Sequence, residues 1–150
     1  MLKCAVNPSC RAWLLLPLLL LSSATAGADG LQAGQWATLQ RTDLNGVAGP
    51  MQPGGRCLTE EAVADLDKTF SPVSRTTNTT CERTEHELTP QRLKWRLTCT
   101  GQIDIELTGE FIFDRPDHYS ATITSRSSML GRFMQESVTF VEGLRVGDCP

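Results

Sequence analysis

Two histidines, His86 and His118, are the side chains in this 150-residue sequence best suited to moving a proton near neutral pH. Either could serve as the base of a hydrolase, but neither sits in a signature that supplies a nucleophile. The Ser127-Ser128 pair has hydroxyls and no base partner nearby in sequence. There is no GxSxG elbow, no HExxH helix and no phosphate-cradling glycine loop. Asp104, Glu106 and Glu110 fall on one side of a strand pattern, a spacing that could hold calcium. Arg92 and Arg96 lie within reach as counter-charges, so a solvated, ion-paired sheet face is the preferred reading. No cofactor or metal site is expected, and a hydrolase using His86 or His118 stands as the lesser alternative.

The cysteines are more informative. Cys4 and Cys10 precede the apolar run Ala12 to Leu21, which is followed by the small-residue stretch SSATAGA. Lys3 and Arg11 are the only charges there, giving the layout of a secretory signal peptide over residues 1–28. Cleavage is expected after Ala26 or Ala28. The apolar run, interrupted by Pro17, falls short of the roughly 20 residues needed to span a bilayer, and no later segment reaches that length. The mature chain, 29–150 or two residues longer, is one domain's worth. Losing Lys3 and Arg11 takes 14 basic residues to 12 against 17 acids, a net charge of about −5. No clustered basic face suggests nucleic acid.

Four cysteines then remain, Cys57, Cys81, Cys99 and Cys149, an even set in an exported domain. Their gaps of 24, 18 and 50 residues, without a CxxC pair, argue against zinc. A turn centred on Pro90 pairs residues whose numbers sum to 180 and sets Cys81 opposite Cys99. Cys57 is then left for Cys149. The same register puts His86 beside Lys94, and Arg83, Glu85 and Glu87 on the face of Leu97, Trp95 and Leu93. That conflict requires an edge strand whose charged tips reach solvent.

The elements that position these residues are mostly strands. GQWATLQRT (34–42) is a strand candidate, and the Gly/Pro-rich stretch 44–56 reads as a loop. Thr59 is the N-cap of one helix from Glu60 to about Lys68, with Ala62, Val63 and Leu66 on one face. Leu93, Trp95, Leu97 and Cys99 alternate with polar residues, as do Ile105, Leu107, Phe111 and Phe113. A three-residue loop, Thr100-Gly101-Gln102, would set Leu97 against Ile105, Trp95 against Leu107, Arg96 beside Glu106 and Arg92 beside Glu110. Further strands run near Tyr119 to Ser125 and from about Phe133 to Val146. Met129, Leu130, Phe133 and Met134 read as a partly buried connection, with a soft contact surface as the rival. Asn78-Thr79-Thr80 is a glycosylation sequon that a bacterial host would leave idle.

These pieces predict a mainly β (α+β) fold: a curved antiparallel sheet of about six strands, a half-barrel or open barrel, with one helix. The order GQW (34–36), Gly/Pro-rich loop, CLTEEA (57–62), Cys81, KWRLTCTG (94–101), Gly109, Tyr119 and GLRVGDCP (143–150) resembles the bacterial envelope family designated domain of unknown function 3617. That resemblance implies a signal peptide, a periplasmic or secreted location and a small β-rich fold, and transfers no catalytic residue. The expected role is non-enzymatic binding of a small apolar ligand or an envelope protein partner, with a structural or interaction protein of the envelope as the alternative. The residues expected to line a ligand pocket are Trp36, Trp95, Leu97, Phe111 and Phe113.

Overall fold

A computed structural model describes residues 30–72 and 80–150. The signal segment and two of the three sequon residues lie outside the described residues. Strands β1 (Gly34–Leu44) and β2 (Gln52–Leu58) are followed by helices α1 (Glu60–Ala64) and α2 (Leu66–Phe70). Strands β3 (Thr80–Thr89), β4 (Arg92–Thr100), β5 (Asp104–Arg115), β6 (His118–Met129) and β7 (Arg132–Gly147) complete the chain. They form one antiparallel sheet of seven strands in the order β2-β1-β7-β6-β5-β4-β3. The sheet is not closed: β2 and β3 are its two edges.

Curvature follows from what α2 touches. Arg56 on edge strand β2 lies over the Phe70 ring, and Arg83 on edge strand β3 pairs with Asp67. A helix of five residues is only about 8 Å long. In a flat sheet of seven strands the edges would stand about 29 Å apart. Long side chains cannot bridge that difference alone, so the sheet must curl around the helix. The predicted half-barrel is therefore correct in kind, with seven strands instead of six and two short helices instead of one.

The helix divides at Asp65. Thr59 accepts from Ala62 N at 3.2 Å and starts α1, as its sequence position predicts. Asp65 then leaves helical geometry (φ −127°, ψ 79°) and caps α2 by accepting from Lys68 N at 2.9 Å. The short side chain that ends one helix begins the next. Thr69 Oγ1 donates to Ala62 O at 2.6 Å, tying the two together. Ala62, Val63 and Leu66 pack on the core as expected.

The core lies between the helices and the inner face of the sheet. It consists of Leu31, Trp36, Leu58, Phe70, Leu93, Trp95, Phe111, Phe113, Tyr119 and Ala121. Phe70 is its centre, with ring centroids 5.0 Å from Phe111, 5.7 Å from Phe113 and 5.1 Å from Tyr119. Trp36 is fully buried, meets the Tyr119 ring at a tilt with centroids 5.4 Å apart, and donates its indole N–H to Gln32 O at 3.1 Å.

Two registers and one element differ from expectation. The β3–β4 turn is half a residue later than Pro90, so His86 faces Trp95 and Glu87 faces Lys94. A bulge between Arg83 and Glu85 restores the sum of 180, and Cys81 faces Cys99. The shifted turn also removes the predicted conflict of faces for the two glutamates. Glu85 and Glu87 turn to the outer face, where Glu85 meets Arg96 at 3.3 Å and Lys94 at 3.7 Å. Only Arg83 stays inside, held by Asp67. Between β4 and β5 the pairing is two residues further on, with Leu97 opposite Leu107 and Trp95 opposite Gly109. A slip of two preserves the faces. Arg96 and Arg92 still reach Glu106 and Glu110 diagonally, at 3.4 and 3.0 Å. Finally, residues 52–56, expected as part of a loop, belong to edge strand β2.

At the β6–β7 turn, Met129 faces Arg132, with Leu130 (φ 51°) and Gly131 (φ 72°) between them. Two positive φ angles define the hairpin turn that favours Asn-Gly. Leu130 is 93% exposed and pays the steric cost of the left-handed region with no burial in return. Leu130→Asn should stabilise the domain by about 1 kcal/mol, raising the melting temperature by a few degrees. Thermal unfolding by circular dichroism checks it, and an unchanged or lower midpoint would contradict the turn geometry.

Candidate functional site

Of the five residues predicted to line a pocket, Trp36, Trp95, Leu97 and Phe113 are buried side chains that line no recess among those described. Phe70, contributed by α2, packs over the aromatic face that was expected to be open. Of the five, Phe111 alone lines a described recess. It belongs to a recess of about 320 Å³ just beyond α2, where the inner face emerges from under the helices.

Each wall has a separate origin. Phe111, Tyr119, Ile123 and Val141 form an apolar floor from β5, β6 and β7. Thr38 and Gln40 come from β1, Gly55 and Arg56 from β2, and Thr69 and Phe70 from α2. The guanidinium of Arg56 sits 4.7 Å from the Phe70 ring centroid. Burial raises the phenol pKa of Tyr119, an effect that the neighbouring Arg56 partly offsets. The hydroxyl is therefore a neutral donor at physiological pH. Arg56 and Phe70 drew no notice in the sequence because one sits in a Gly/Pro-rich stretch and the other in a short helix. The Gln-Pro-Gly-Gly composition of 52–55 masks a strand whose alternation would have pointed Arg56 inward.

The two histidines lie elsewhere and apart. His86 Nε2 is 3.1 Å from Asp67 Oδ1, the same carboxylate that accepts from Ser71 Oγ at 2.6 Å and pairs with Arg83 at 3.0 Å. Burial opposes ionisation of Asp67, but the bonds from Ser71, Arg83 and His86 outweigh it and lower its pKa. The serine donates to the aspartate and not to the histidine, so the cluster latches α2 to β3 and primes no nucleophile. His118 is on the outer face with both ring nitrogens engaged, Nδ1 by Asp114 at 2.5 Å and Nε2 by Glu142 at 2.8 Å. Ser127 Oγ donates to Gln135 O. Asp104 accepts from Gly101 N, while Glu106 and Glu110 pair with arginines, as the solvated-face reading expects.

The His118 bridge makes a testable pH dependence. The hydrogen bond to Asp114, with that to Glu142, raises the imidazole pKa above its usual 6.5 despite some desolvation. A raised native pKa contributes stability that is complete below about pH 6.5 and fades as pH rises through the native value. The margin of wild type over His118→Gln in denaturant midpoint should therefore be largest near pH 6 and shrink towards pH 9. A margin that grows with pH would contradict the bridge.

The disulfides join Cys57 with Cys149 and Cys81 with Cys99. The first lies where β1 begins, fastening edge strand β2 to the tail beyond β7. The second lies at the other end of the sheet and fastens edge strand β3 to β4. Both free edges are stapled, each at a different end.

Against that frame of strands and bridges, residues 31–149 match the family described as protein of unknown function (DUF3617). The chain belongs to this family. The match spans nearly all the described residues, so in this DUF3617 domain the sheet, both helices and both bridges fall within the family unit. No curated protein matches the chain. Among the described residues no helix is long and apolar enough to cross a membrane.

The sheet end that carries the Cys81–Cys99 bridge holds a second feature of this DUF3617 domain. Leu44, Val47, Met51, Ile103, Met129, Leu130, Phe133 and Met134 are all exposed there, brought together by three turns. Met129, Leu130, Phe133 and Met134 are thus surface residues and not the partly buried connection expected of them.

Proposed function

We propose that this domain is an exported, non-enzymatic binding module that takes a small, largely apolar ligand into the recess beside α2. The carrying observation is that recess: about 320 Å³, with an apolar floor of Phe111, Ile123 and Val141 and a polar rim from Arg56, Gln40, Thr38 and Thr69. Its size is at the lower end of the range of ligand sites, and its mix of apolar floor and few polar groups is typical of them. Two disulfides support passage through an oxidising compartment, which agrees with the signal-type N-terminal sequence. In a bacterial host the compartment would be the periplasm. Intact mass of protein from the native host should show a chain starting at Gly27 or Asp29, and one starting at Met1 would remove the export argument.

Binding is tested with a neutral naphthylamine dye on the mature, oxidised protein. Fluorescence should rise to saturation at one dye per chain while the protein stays folded and monomeric. Ile123→Trp, which fills the floor, should abolish that rise without lowering the melting temperature. Absence of saturable binding to the wild type would refute the reading. A second reading, an interaction protein of the envelope, is favoured by the eight apolar side chains exposed at one sheet end. That surface would then be the functional one.

A further inference from the structure

The charge pattern of the recess narrows the class of ligand, an inference that rests on the binding role just proposed. Five of the recesses on the described surface are of comparable size. Four of them are each lined by two carboxylates: Asp104 and Glu106, Glu60 and Asp148, Glu85 and Glu87, Glu110 and Glu142. The recess beside α2 has none. In a chain with 17 acids and 14 bases, this recess alone of the five offers an anion no acidic wall.

It also contains a cation with capacity to spare. Lys94 and Arg126, the bases lining two of the other recesses, are paired with Glu85 and Glu136. Arg56 has no carboxylate partner among the described residues. Its guanidinium lies over the Phe70 ring, 4.7 Å from the centroid, beside Tyr119 in the lining of the recess. A planar guanidinium fixed in this way suits two parallel hydrogen bonds to a carboxylate. The floor of Phe111, Tyr119, Ile123 and Val141 suits an unbranched apolar tail.

We infer that the recess binds a monocarboxylate amphiphile of short to medium acyl chain, with Arg56 as the anchor of the carboxylate. Gln40, Thr38 and Thr69 are neutral rim groups that would solvate the head without repelling it. The carboxylate exchanges water for charge-assisted bonds to Arg56, whereas an alcohol of the same length has only the tail contacts.

Octanoate and octan-1-ol, below their aggregation limits, are compared by displacement of the bound naphthylamine dye. Wild type should favour octanoate about tenfold or more, a preference that weakens in high salt. Arg56→Gln should lose that preference while still binding octan-1-ol saturably, compared at a temperature where circular dichroism shows the variant folded. Arg56→Lys should keep part of it. Equal affinities in the wild type, or a preference that survives in Arg56→Gln, would overturn the anchor while leaving the binding module standing. Failure of dye, alcohol and carboxylate alike would overturn both.

Discussion

Replacing Cys57 and Cys149 together by serine should lower the unfolding free energy by about 4–5 kcal/mol, more than the roughly 3 kcal/mol expected for the Cys81/Cys99 pair. The two bridges close loops of very different length, with sequence separations of 92 and 18. Loop-closure entropy in the unfolded chain grows with the logarithm of that length, which gives the order. Native geometry points the same way. The hairpin bridge links strands already joined by a tight two-residue turn and a ladder that is interrupted only by the bulge after Arg83. The long bridge links β2, an edge strand with two glycines, to the C-terminal tail beyond β7. β2 pairs only with β1, and Pro53 donates nothing to the ladder. Without the bridge β2 should fray, and Arg56 and the recess wall with it. Denaturant unfolding of both double-serine proteins under non-reducing conditions measures the difference. A smaller loss for the Cys57/Cys149 pair would mean that β2 is held by its ladder alone. Mapping of wild-type peptides that returned a Cys57–Cys81 link would break the strand order itself.

How much of this was legible in the sequence differs by element. Strands β4 and β5 announce themselves because half-buried strands must alternate, and Leu93 to Cys99 and Ile105 to Phe113 do so. The pairing of Cys81 with Cys99 followed from a turn placed half a residue too early. It holds because the bulge after Arg83 shifts the register back before the cysteines are reached. No composition signal marks that bulge, although the conflict of Glu85 and Glu87 with an apolar face was the shadow of the misplaced turn. β2 was hidden because glycine and proline signal a loop wherever burial does not override them, and an edge strand needs neither side-chain packing nor every N–H. A usable clue was present at Asn45-Gly46, both with positive φ, closing a tight turn in which Leu44 and Val47 exchange backbone bonds. The candidate site was less legible still. Its floor could be drawn from strand alternation, but its lid and its charge come from Phe70 and Arg56. Their positions depend on how far the sheet curls, a property of tertiary packing and not of any local pattern.

Gly109→Ala should destabilise the domain by about 2–3 kcal/mol, against the trend for a strand interior, where alanine normally outperforms glycine. A Cβ built at Gly109 would lie 2.3 Å from Cζ2 and 2.4 Å from Cε2 of Trp95. Trp95 is opposite Gly109 in the ladder and only 3% exposed, so its ring lies flat across the neighbouring backbone and has nowhere to retreat. This contact explains the two-residue shift between β4 and β5. With Leu107 opposite, the indole would meet a branched side chain, and with glycine it covers bare backbone. Trp95→Ala alone should cost about 3–5 kcal/mol by leaving a cavity. In the double variant the added methyl meets no ring, so the two losses should sum to at least about 1 kcal/mol more than the double variant shows. Strict additivity, or a neutral Gly109→Ala, would refute the ring-over-glycine packing and the register built on it. The same arrangement recurs where Tyr119 covers Gly143, whose added Cβ would lie 2.2 Å from Cε1 of the tyrosine. There the consequence extends to the recess. Gly143→Ala must displace the Tyr119 ring that forms its floor and meets Arg56, so dye affinity should fall along with stability. Gly109→Ala, acting on a ring outside the recess lining, should reduce stability while dye affinity in the folded protein stays as it was.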